Sequence, residues 1–513
     1  MGPTDRFNKT NKIFRRKNNE EDHRTAAGLR HGAGLFAACG GEKAPAEDGE
    51  KAPEAAAPAE DGVVTLNWYT VGSGKAPNHD AWQKQVNDYL DSKGLGVHLN
   101  YENIAWGDWG ERRSVIVQTG ADWDMILCQG SELVNDAAMG ALAPIEDLMD
   151  TVPGLTELIP EAYFEACTID GHLYGIPAYK DCAATNYWVW HKDTIEAAYP
   201  EWENLHTLAD IEPALRAILE YDPGMTPLKL HKDGLWSLVA CEYDAAGVGD
   251  CGIGIAYNGG TEFVSVYEEM QETFDLLGYY YSEGLINSDA PVAQAVEGIY
   301  GVSMAQGWPS AAETSWKREG ASVVVSQYLD TVLSTESVRG SVTAFNKNSA
   351  HLAEALKFIE FVNTDTYMRD LLWYGEEGVD WNYVDHPDGK NGKAVLRVDG
   401  NTWTGAAYTQ GTFFTATPCQ LADGSVDKMA EELLALEANV VTSPAMGFSF
   451  NNDGWQDTIA AIAACKAKYV NMYQTGADPS CIATMMAEMR DNGFDDLLAE
   501  VNRQFDEWQA AQG

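Results

Sequence analysis

The chain has 513 residues, which is too long for one ordinary domain and predicts two lobes or more. Its 34 Lys and Arg against 78 Asp and Glu give a formal charge of −44, which repels polyanions and argues against nucleic-acid binding as a main function. Hydrophobic residues make up 45% of the chain. Because no run of about 18 apolar residues is present, we expect no membrane-spanning helix.

Nine cysteines are spread along the chain without a CxxC pair or a Cys/His cluster at metal-ligand spacing. We therefore expect no cofactor and predict no metal site. Apart from Cys39, the cysteines are either disulfide-bonded or small buried residues, and the sequence leaves both possibilities open. If disulfides form, the local candidates are Cys241 with Cys251 and Cys167 with Cys182.

The first 61 residues have the composition of a signal and a tether, and we expect no folded element in them. Residues 1–38 start with basic side chains and end in "GLFAA", so Cys39 stands where a lipobox places the lipidated cysteine. The preceding "NNEEDHRTAAGLRHGAG" is too polar for an export signal, so Cys39 is a coincidence or this part departs from a working signal. Residues 39–61 repeat Ala, Pro and Glu, which predicts an extended tether and favours the second alternative.

Folded sequence begins with strands and helices in alternation. "VVTLNWYTVG" is a β-rich apolar run that ends in glycine, "NHDAWQKQVNDYLDS" has apolar residues at helical spacing, and "GVHLNYENI" alternates as a second strand. A helix and a third strand, "DMILCQ", follow. This order predicts a doubly wound α/β lobe, whose ligands bind beyond the carboxyl ends of the strands.

Short motifs in a fixed order carry a family resemblance. The motifs are "GADWDMILCQGSELVNDAAMGALAPIEDLMD", "DGHLYGIPAY", "GYYYSEGLINSDA", "GIYGVSMAQGWPS" and "GSVTAFNKNSAHLAEALKFIEFV". Together they resemble the family 1 extracellular solute-binding proteins of ATP-binding-cassette (ABC) importers, over about residues 62–510. The element "YGEEGVDW" and the C-terminal "NRQFDEW" resemble the oligosaccharide-importer branch that includes aldouronate-type lipoproteins.

The resemblance implies an α/β fold of the periplasmic-binding-protein type, with two lobes, a hinge, an interlobe cleft and an extended helical C-terminal part. The expected segments are 1–38 (degenerate signal), 39–61 (tether), 62–178 and 336–366 (first lobe), and 179–335 and much of 367–513 (second lobe and helical part). Such proteins close around a solute and dock on permease subunits. The resemblance thus implies an exported monomer, held at the outer face of the cytoplasmic membrane only through a lipid on Cys39.

Aromatic residues at turns are candidates for the ligand site. Sugar rings stack on Trp and Tyr through their C–H faces, and their hydroxyls bind short polar side chains. Four tryptophans lie at turns, and for each of them a core position is the alternative: Trp106, Trp109, Trp308 and Trp455. Trp188 and Trp190 lie inside the apolar run "NYWVW" and are predicted to be core.

The resemblance adds positions to this set. Trp308 and Trp455 match places where the maltodextrin-binding branch stacks tryptophan on sugar. Other candidates are expected after the first strand, after the third strand and after the Gly-Ile-Pro turn that leads to the hinge. The predicted ligand-binding residues are Tyr69, Trp106, Gln129, Ser131, Tyr179, Lys180, Asp181, Trp308 and Trp455.

Two functions fit these patterns. The first is a transport receptor that captures an oligosaccharide or a similar polar solute and delivers it to a permease. The second is a secreted carbohydrate-active enzyme or an adhesin. The GxSxG, HExxH and P-loop patterns are absent, and with 78 carboxylates a pair of acids can be found anywhere. We therefore expect a receptor without catalytic residues.

Overall fold

A computed structural model of the chain describes residues 62–512, except 121, 236, 246, 249–250, 315 and 317–320. The predicted signal-like segment, the tether and Cys39 lie outside the described residues. Within the described part, the helices are too short or too polar for any of them to cross a membrane.

The elements follow in chain order. The strands are β1 (Val64–Gly72), β2 (Val97–Ala105), β3 (Met125–Cys128), β4 (Thr168–Ile169), β5 (His172–Leu173), β6 (Gly175–Pro177), β7 (Ala184–His191), β8 (Tyr243–Asp244), β9 (Ile253–Ala256), β10 (Val264–Ser265), β11 (Val302–Gln306), β12 (Val323–Leu333), β13 (Val342–Phe345), β14 (Trp381–Lys390), β15 (Lys393–Arg397) and β16 (Val441–Thr442). The helices are α1 (His79–Lys93), α2 (Trp109–Thr119), α3 (Ser131–Ala138), α4 (Pro153–Leu158), α5 (Glu161–Ala166), α6 (Lys192–Ala198), α7 (Glu212–Tyr221), α8 (Ser237–Glu242), α9 (Val266–Glu269), α10 (Gln271–Ser282), α11 (Ala311–Thr314), α12 (Thr335–Arg339), α13 (Leu352–Thr364), α14 (Thr366–Tyr374), α15 (Met429–Glu437), α16 (Gln456–Ala467), α17 (Val470–Tyr473), α18 (Cys481–Asp491) and α19 (Phe494–Gln512). Short 3₁₀ helices span Glu146–Thr151, Trp202–Asn204 and Ala407–Thr409.

The first lobe is built on a sheet with the strand order β2-β1-β3-β13-β6. β1, β2 and β3 are parallel, and β13 runs antiparallel between β3 and β6. A Cβ at Gly175 in β6 would lie 2.6 Å from Cγ1 of Val342 in β13, so glycine allows this close pairing. The chain therefore leaves the sheet after β6 and returns to it at β13.

This topology brings several chain segments to one edge of the first sheet. β1, β2, β3 and β6 all end there, and β13 begins there, because Val342 pairs with both Cys128 and Pro177. We call it the carboxyl edge. In an open α/β sheet, it is the edge beyond which ligands bind.

The second lobe is built on a sheet with the strand order β11-β7-β12-β16. β7 is antiparallel to both neighbours, and its first residues pair with the last residues of β11 and β12: Asn186 with Gln306 and Ala184 with Val332. We call this end of the second sheet the crossover edge, because the chain arrives here from β6 and leaves from here toward β13. The crossings between the two sheets thus form the hinge.

Each lobe has its own hydrophobic core. Trp68 and Trp82 are fully buried in the first core. Trp109, at the start of α2, is 6% exposed and belongs to the same core, so of its two alternatives the core position is the one observed. Trp188 and Trp190 are fully buried in the second, and the indole N–H of Trp190 donates to the Ser326 hydroxyl (3.0 Å). The prediction that Trp188 and Trp190 are core residues is confirmed. Two sheets and two cores joined by a hinge give the two-lobe α/β fold that the sequence predicts.

The chain just after residue 366 packs in the first lobe and not in the lobe to which the predicted boundary assigns it. Met368 and Leu371 of α14 and Trp381 of β14 are fully buried in the first core, although much of 367–513 is predicted to belong to the second lobe and helical part. Asp365 explains the difference, because its carboxylate accepts from the backbone N–H of Met368 (2.9 Å) and from the hydroxyl of Tyr89 in α1 (2.9 Å). The chain therefore turns back onto the first lobe. The other predicted boundaries remain predictions.

The cysteines in the described part form no disulfide bonds with one another. The candidate disulfides Cys241–Cys251 and Cys167–Cys182 are therefore wrong, and all four residues are buried. Burial raises the pKa of the Cys182 thiol to about 11, so it is protonated at neutral pH. Of the two alternatives that the sequence left open, these four are small buried residues.

Candidate functional site

A strap of residues 403–413 crosses the carboxyl edge of the first sheet. Near its start, the backbone N–H of Ser73, which follows β1, donates to the carbonyl of Thr404 (3.1 Å). At its end, the N–H of Phe413 donates to the carbonyl of Tyr179, which follows β6 (2.9 Å). The strap therefore spans the strand ends where a ligand of an α/β lobe is expected.

Arg369 of α14 lies beneath the strap and is fully buried. Its Nε donates to the carbonyl of Thr412 (2.6 Å), its Nη2 to the carbonyl of Ala407 (2.7 Å) and its Nη1 to Oε1 of Gln410 (3.3 Å). Burial lowers the pKa of Arg369 to about 10, so the guanidinium still carries its charge at neutral pH. One side chain thus fixes the strap backbone on both sides of Tyr408.

Tyr408 is the centre of a side-chain cluster. Its ring stacks with that of Trp106 (centroids 6.1 Å apart, planes 15° apart), and Nζ of Lys180 lies 5.9 Å from its ring centroid. Burial raises the pKa of the Tyr408 hydroxyl to about 12, against the opposing effect of the neighbouring Gln129 side chain. The Ser341 hydroxyl donates to the Tyr408 carbonyl (2.7 Å). Trp106 remains 50% exposed, so its ring can still receive a ligand.

Lys180 and Asp181 complete this group, which we call the Tyr408 cluster: Trp106, Gln129, Lys180, Asp181 and Tyr408. Nζ of Lys180 lies 2.9 Å from Oδ1 of Asp181. Burial alone would lower the pKa of Lys180, but the neighbouring Cys182 and Asp181 raise it above its ordinary value. Lys180 is therefore charged and ion-paired, while Asp181 keeps 34% of its side chain exposed.

Trp308 lies on the second-lobe side of the hinge. The backbone N–H of Gly307 donates to the carbonyl of Thr185 (3.0 Å), which places Trp308 at the crossover edge. Two residues later, the N–H of Ser310 donates to Oε2 of Glu432 in α15 (2.8 Å). The ring of Trp308 is half-buried, which leaves part of it accessible to a ligand.

Tyr179 lies at the hinge, but its ring is enclosed. Only 7% of the residue is exposed, because Phe414 and Tyr163 pack against it with centroids 4.3 and 5.3 Å away. Its hydroxyl donates to Oε2 of Glu437 at the end of α15 (2.6 Å). The ring therefore supports the hinge and cannot present a face to a ligand.

Three other predicted residues lie at different places. Tyr69 is inside β1 and opposite Glu102, because β2 pairs with β1 as far as Gly72; the prediction that Tyr69 follows the first strand is wrong. Ser131 is exposed at the start of α3, directly after β3, as expected. Trp455 is half-buried against the second core at the start of α16, and its exposure to the cleft stays a prediction.

Tyr408 and Arg369 are the residues that sequence reasoning missed. Tyr408 lies in "GAAYTQG", a polar and small-residue segment without a helix or strand period. The available signal was an aromatic ring at a turn, the same criterion that selected Trp106. Across the described residues, no group of three or more His, Cys, Asp or Glu is arranged to hold a metal ion.

Comparison with known proteins places this fold in a family. Residues 84–376, more than half of the chain, match the family model described as bacterial extracellular solute-binding protein. The chain belongs to this family. Residues 444–510 also match a domain of unknown function (DUF3502). The resemblance seen in the sequence is confirmed, and membership of an extracellular family indicates an exported protein.

Individual relatives cover nearly the whole chain. A carbohydrate ABC transporter substrate-binding protein of Streptococcus pneumoniae serotype 4 is 22% identical over 460 residues, which are 86% of this chain and 90% of that protein. The crystal structure of the N-glycan transport solute binding protein NgtS from Streptococcus pneumoniae has a TM-score of 0.74 at 22% identity, over 88% of this chain and 100% of that chain. A solute binding protein from Bifidobacterium longum infantis, described as HMO binding, has a TM-score of 0.58 at 14% identity, over 87% and 99%. These likenesses confirm the predicted fold.

The contacts of Arg369 generate a prediction about the strap. Arg369→Lys keeps the charge but cannot reach both strap carbonyls, so we expect the free energy of unfolding to fall by about 2 to 4 kcal/mol. Amide hydrogen exchange of residues 403–413 should accelerate more than that of β1. Urea unfolding and exchange mass spectrometry measure both effects.

Arg503→Lys is the control, because Arg503 lies exposed on α19 with ion pairs to Glu500 and Glu507. It should change neither quantity appreciably. Equal effects of the two substitutions would show that Arg369 does not fix the strap.

Proposed function

We propose that this chain is the substrate-binding receptor of an ABC importer and that it captures an oligosaccharide between its two lobes. The observation that carries the proposal is the stacked pair of Trp106 and Tyr408 at the carboxyl edge, with one ring half exposed. A flat aromatic surface is what the C–H face of a sugar ring packs against. Gln129 and Asp181, beside these rings, supply the polar groups that sugar hydroxyls need.

The comparisons support the same class of solute. The curated relative is a carbohydrate ABC transporter substrate-binding protein, and a structure of NgtS in complex with Man1GlcNAc has a TM-score of 0.64 with this chain at 22% identity. The present chain is similar to the first in sequence and to the second in fold. An oligosaccharide is therefore the solute class that we assign to it.

Hinge closure is the proposed mechanism. The solute first contacts the Tyr408 cluster on the first lobe, and rotation about the hinge brings Trp308 of the second lobe onto its other side. Closure is favoured only by contacts that the open form lacks, because a ligand shifts a two-state equilibrium through its differential affinity. The closed monomer then docks on permease subunits. The proposed receptor uses no cofactor and has no catalytic residue.

The proposed binding surface predicts opposite effects for exposed and buried aromatic rings. Trp106→Ala and Tyr408→Ala should each weaken oligosaccharide binding about tenfold to a hundredfold, because one ring stack is worth roughly 1 to 3 kcal/mol. Trp106→Ala should barely change the melting temperature, since half of that residue is exposed. Isothermal titration calorimetry with an oligosaccharide panel, together with thermal unfolding, measures both quantities.

Trp188→Ala is the matched control, because Trp188 is fully buried in the second core. It should cost about 3 to 5 kcal/mol of stability without a direct loss of ligand contacts. If Trp106→Ala instead lowered the melting temperature and left affinity unchanged, the site would be misplaced. Chromatography of the recovered ligand tests the rival enzyme, because a receptor returns the sugar unchanged.

We also propose that Cys39 carries a lipid that holds the receptor at the outer face of the cytoplasmic membrane. The support is the lipobox-like "GLFAAC" followed by an Ala/Pro/Glu tether, in a chain of an extracellular family. In a strain that carries the natural upstream sequence, labelled palmitate should be incorporated into the natural chain and not into Cys39→Ser. Equal labelling of both, or none, would contradict the anchor.

A further inference from the structure

We infer that the cleft selects uncharged oligosaccharides over acidic ones, because Asp181 already neutralises the lysine that lies closest to the aromatic rings. The inference rests on the proposed function and names the substrate class of the same site. It differs from what the aldouronate-type resemblance implies, since aldouronates carry a carboxylate. Its basis is the pairing of the two lysines near the Tyr408 cluster and the negative charge around them.

Lys180 already interacts with groups of the protein itself. Its side chain is only 12% exposed, and its Nζ lies 2.9 Å from Oδ1 of Asp181 and 5.9 Å from the centroid of Tyr408. A ligand carboxylate would have to displace Asp181 to reach this cation. The displaced Asp181 would then stand unpaired beside a second negative charge, which is unfavourable at short range.

Of two other cations near the carboxyl edge, one is ion-paired and one is buried. Lys75, in the loop after β1, has its Nζ 2.8 Å from Oε1 of Glu102. Arg339, at the end of α12, donates from its Nε to the carbonyl of Ala166 (2.6 Å). Its Nη2 has no hydrogen-bond partner in the described part, but the residue is only 5% exposed, so this cation is out of a ligand's reach. Among the described residues of the loops that meet at this edge, Lys75 and Lys180 are the cationic ones, and both are paired.

Negative charge also lies on the opposite side of the hinge. Glu432 accepts from the backbone N–H of Ser310, two residues after Trp308, so its carboxylate lies beside the proposed second-lobe contact. The whole chain carries a formal charge of −44. An anionic ligand is therefore repelled both at long range and on entering the cleft.

An uncharged sugar meets no such barrier. Asp181 keeps 34% of its side chain exposed, and Oδ2 is the oxygen that Lys180 leaves unused. A sugar hydroxyl can donate to that oxygen, and a hydrogen bond to an ionised acceptor is about twice as strong as one between neutral groups. The same carboxylate therefore attracts a hydroxyl and rejects a carboxylate.

The experiment compares matched pairs of ligands on the full chain. The probes are neutral gluco-, manno- and galacto-oligosaccharides, each with a counterpart that carries one uronic acid in place of a neutral unit. Titration calorimetry at low salt should show at least one neutral probe binding about tenfold or more tighter than its acidic counterpart. Added salt should narrow the difference, because screening weakens the repulsion.

Asp181→Asn tests the named residue. It leaves Lys180 without its carboxylate, so affinity for the acidic counterpart should rise about tenfold while affinity for the neutral probe falls. The double variant Lys180→Gln, Asp181→Asn should not show the rise in affinity for the acidic counterpart, because it also removes the positive charge of Lys180. The matched control is Asp88→Asn, which removes the same charge from an exposed Lys84–Asp88 pair on α1 and should leave the ratio of affinities unchanged.

The outcomes separate this inference from the proposed function. If the natural chain binds acidic probes as tightly as neutral ones, or if Asp181→Asn behaves like Asp88→Asn, the inference is overturned and the oligosaccharide receptor stands. If the natural chain binds no probe of either kind, the receptor proposal falls and the inference falls with it. Melting temperatures of the variants show whether each one is folded.

Discussion

The buried guanidinium of Arg369 is the constraint on which the proposed site depends. A charge in a protein interior is tolerated only when hydrogen bonds replace the water that it has lost. Here those bonds go to the carbonyls of Ala407 and Thr412 and to Gln410, all in one strap. Any conformation that lifts the strap breaks these three hydrogen bonds to the guanidinium. The bonds therefore favour the position of the strap at the carboxyl edge.

Because Arg369 fixes the strap, it also fixes the aromatic surface that Tyr408 forms with Trp106. Tyr408 lies between the strap residues that Arg369 holds, and its ring stacks with that of Trp106, which follows a different strand. A preorganised surface loses little conformational entropy when a ligand arrives. The half-exposed ring of Trp106 is therefore available without a prior rearrangement of the first lobe.

Helix α15 connects this surface to the second lobe. Its Glu437 accepts from the hydroxyl of Tyr179, which packs in the first core, and its Glu432 accepts from the backbone N–H of Ser310, next to Trp308. One short helix thus contacts both sides of the hinge. A change of angle between the lobes has to alter one of these contacts, which makes α15 part of the hinge in addition to the strand crossings.

The features that the sequence predicts correctly are those that depend on residues close together in the chain. The strands of the first lobe follow from their apolar alternation, and the ends of β3 and β6 place Gln129, Lys180 and Asp181 at the carboxyl edge. Trp188 and Trp190 were predicted as core because apolar residues surround them in the chain. Local pattern decides such cases.

Long-range packing decided what the sequence could not predict. Tyr408 meets Trp106 across about 300 residues of chain, and no local period marks the strap. Tyr179 follows the Gly-Ile-Pro turn as an exposed site residue would, yet Phe414 from the end of the strap encloses its ring. The same return of the chain after residue 366 carries α14 and β14 into the first core.

The crystal structure of the protein with its tightest-binding oligosaccharide tests the central claim most directly. The account predicts that the C–H face of a sugar ring lies within about 4 Å of the Trp106 or Tyr408 ring, with the strap backbone on Arg369 unchanged. A ligand bound away from the carboxyl edge, with Trp106 still exposed to solvent, would contradict it.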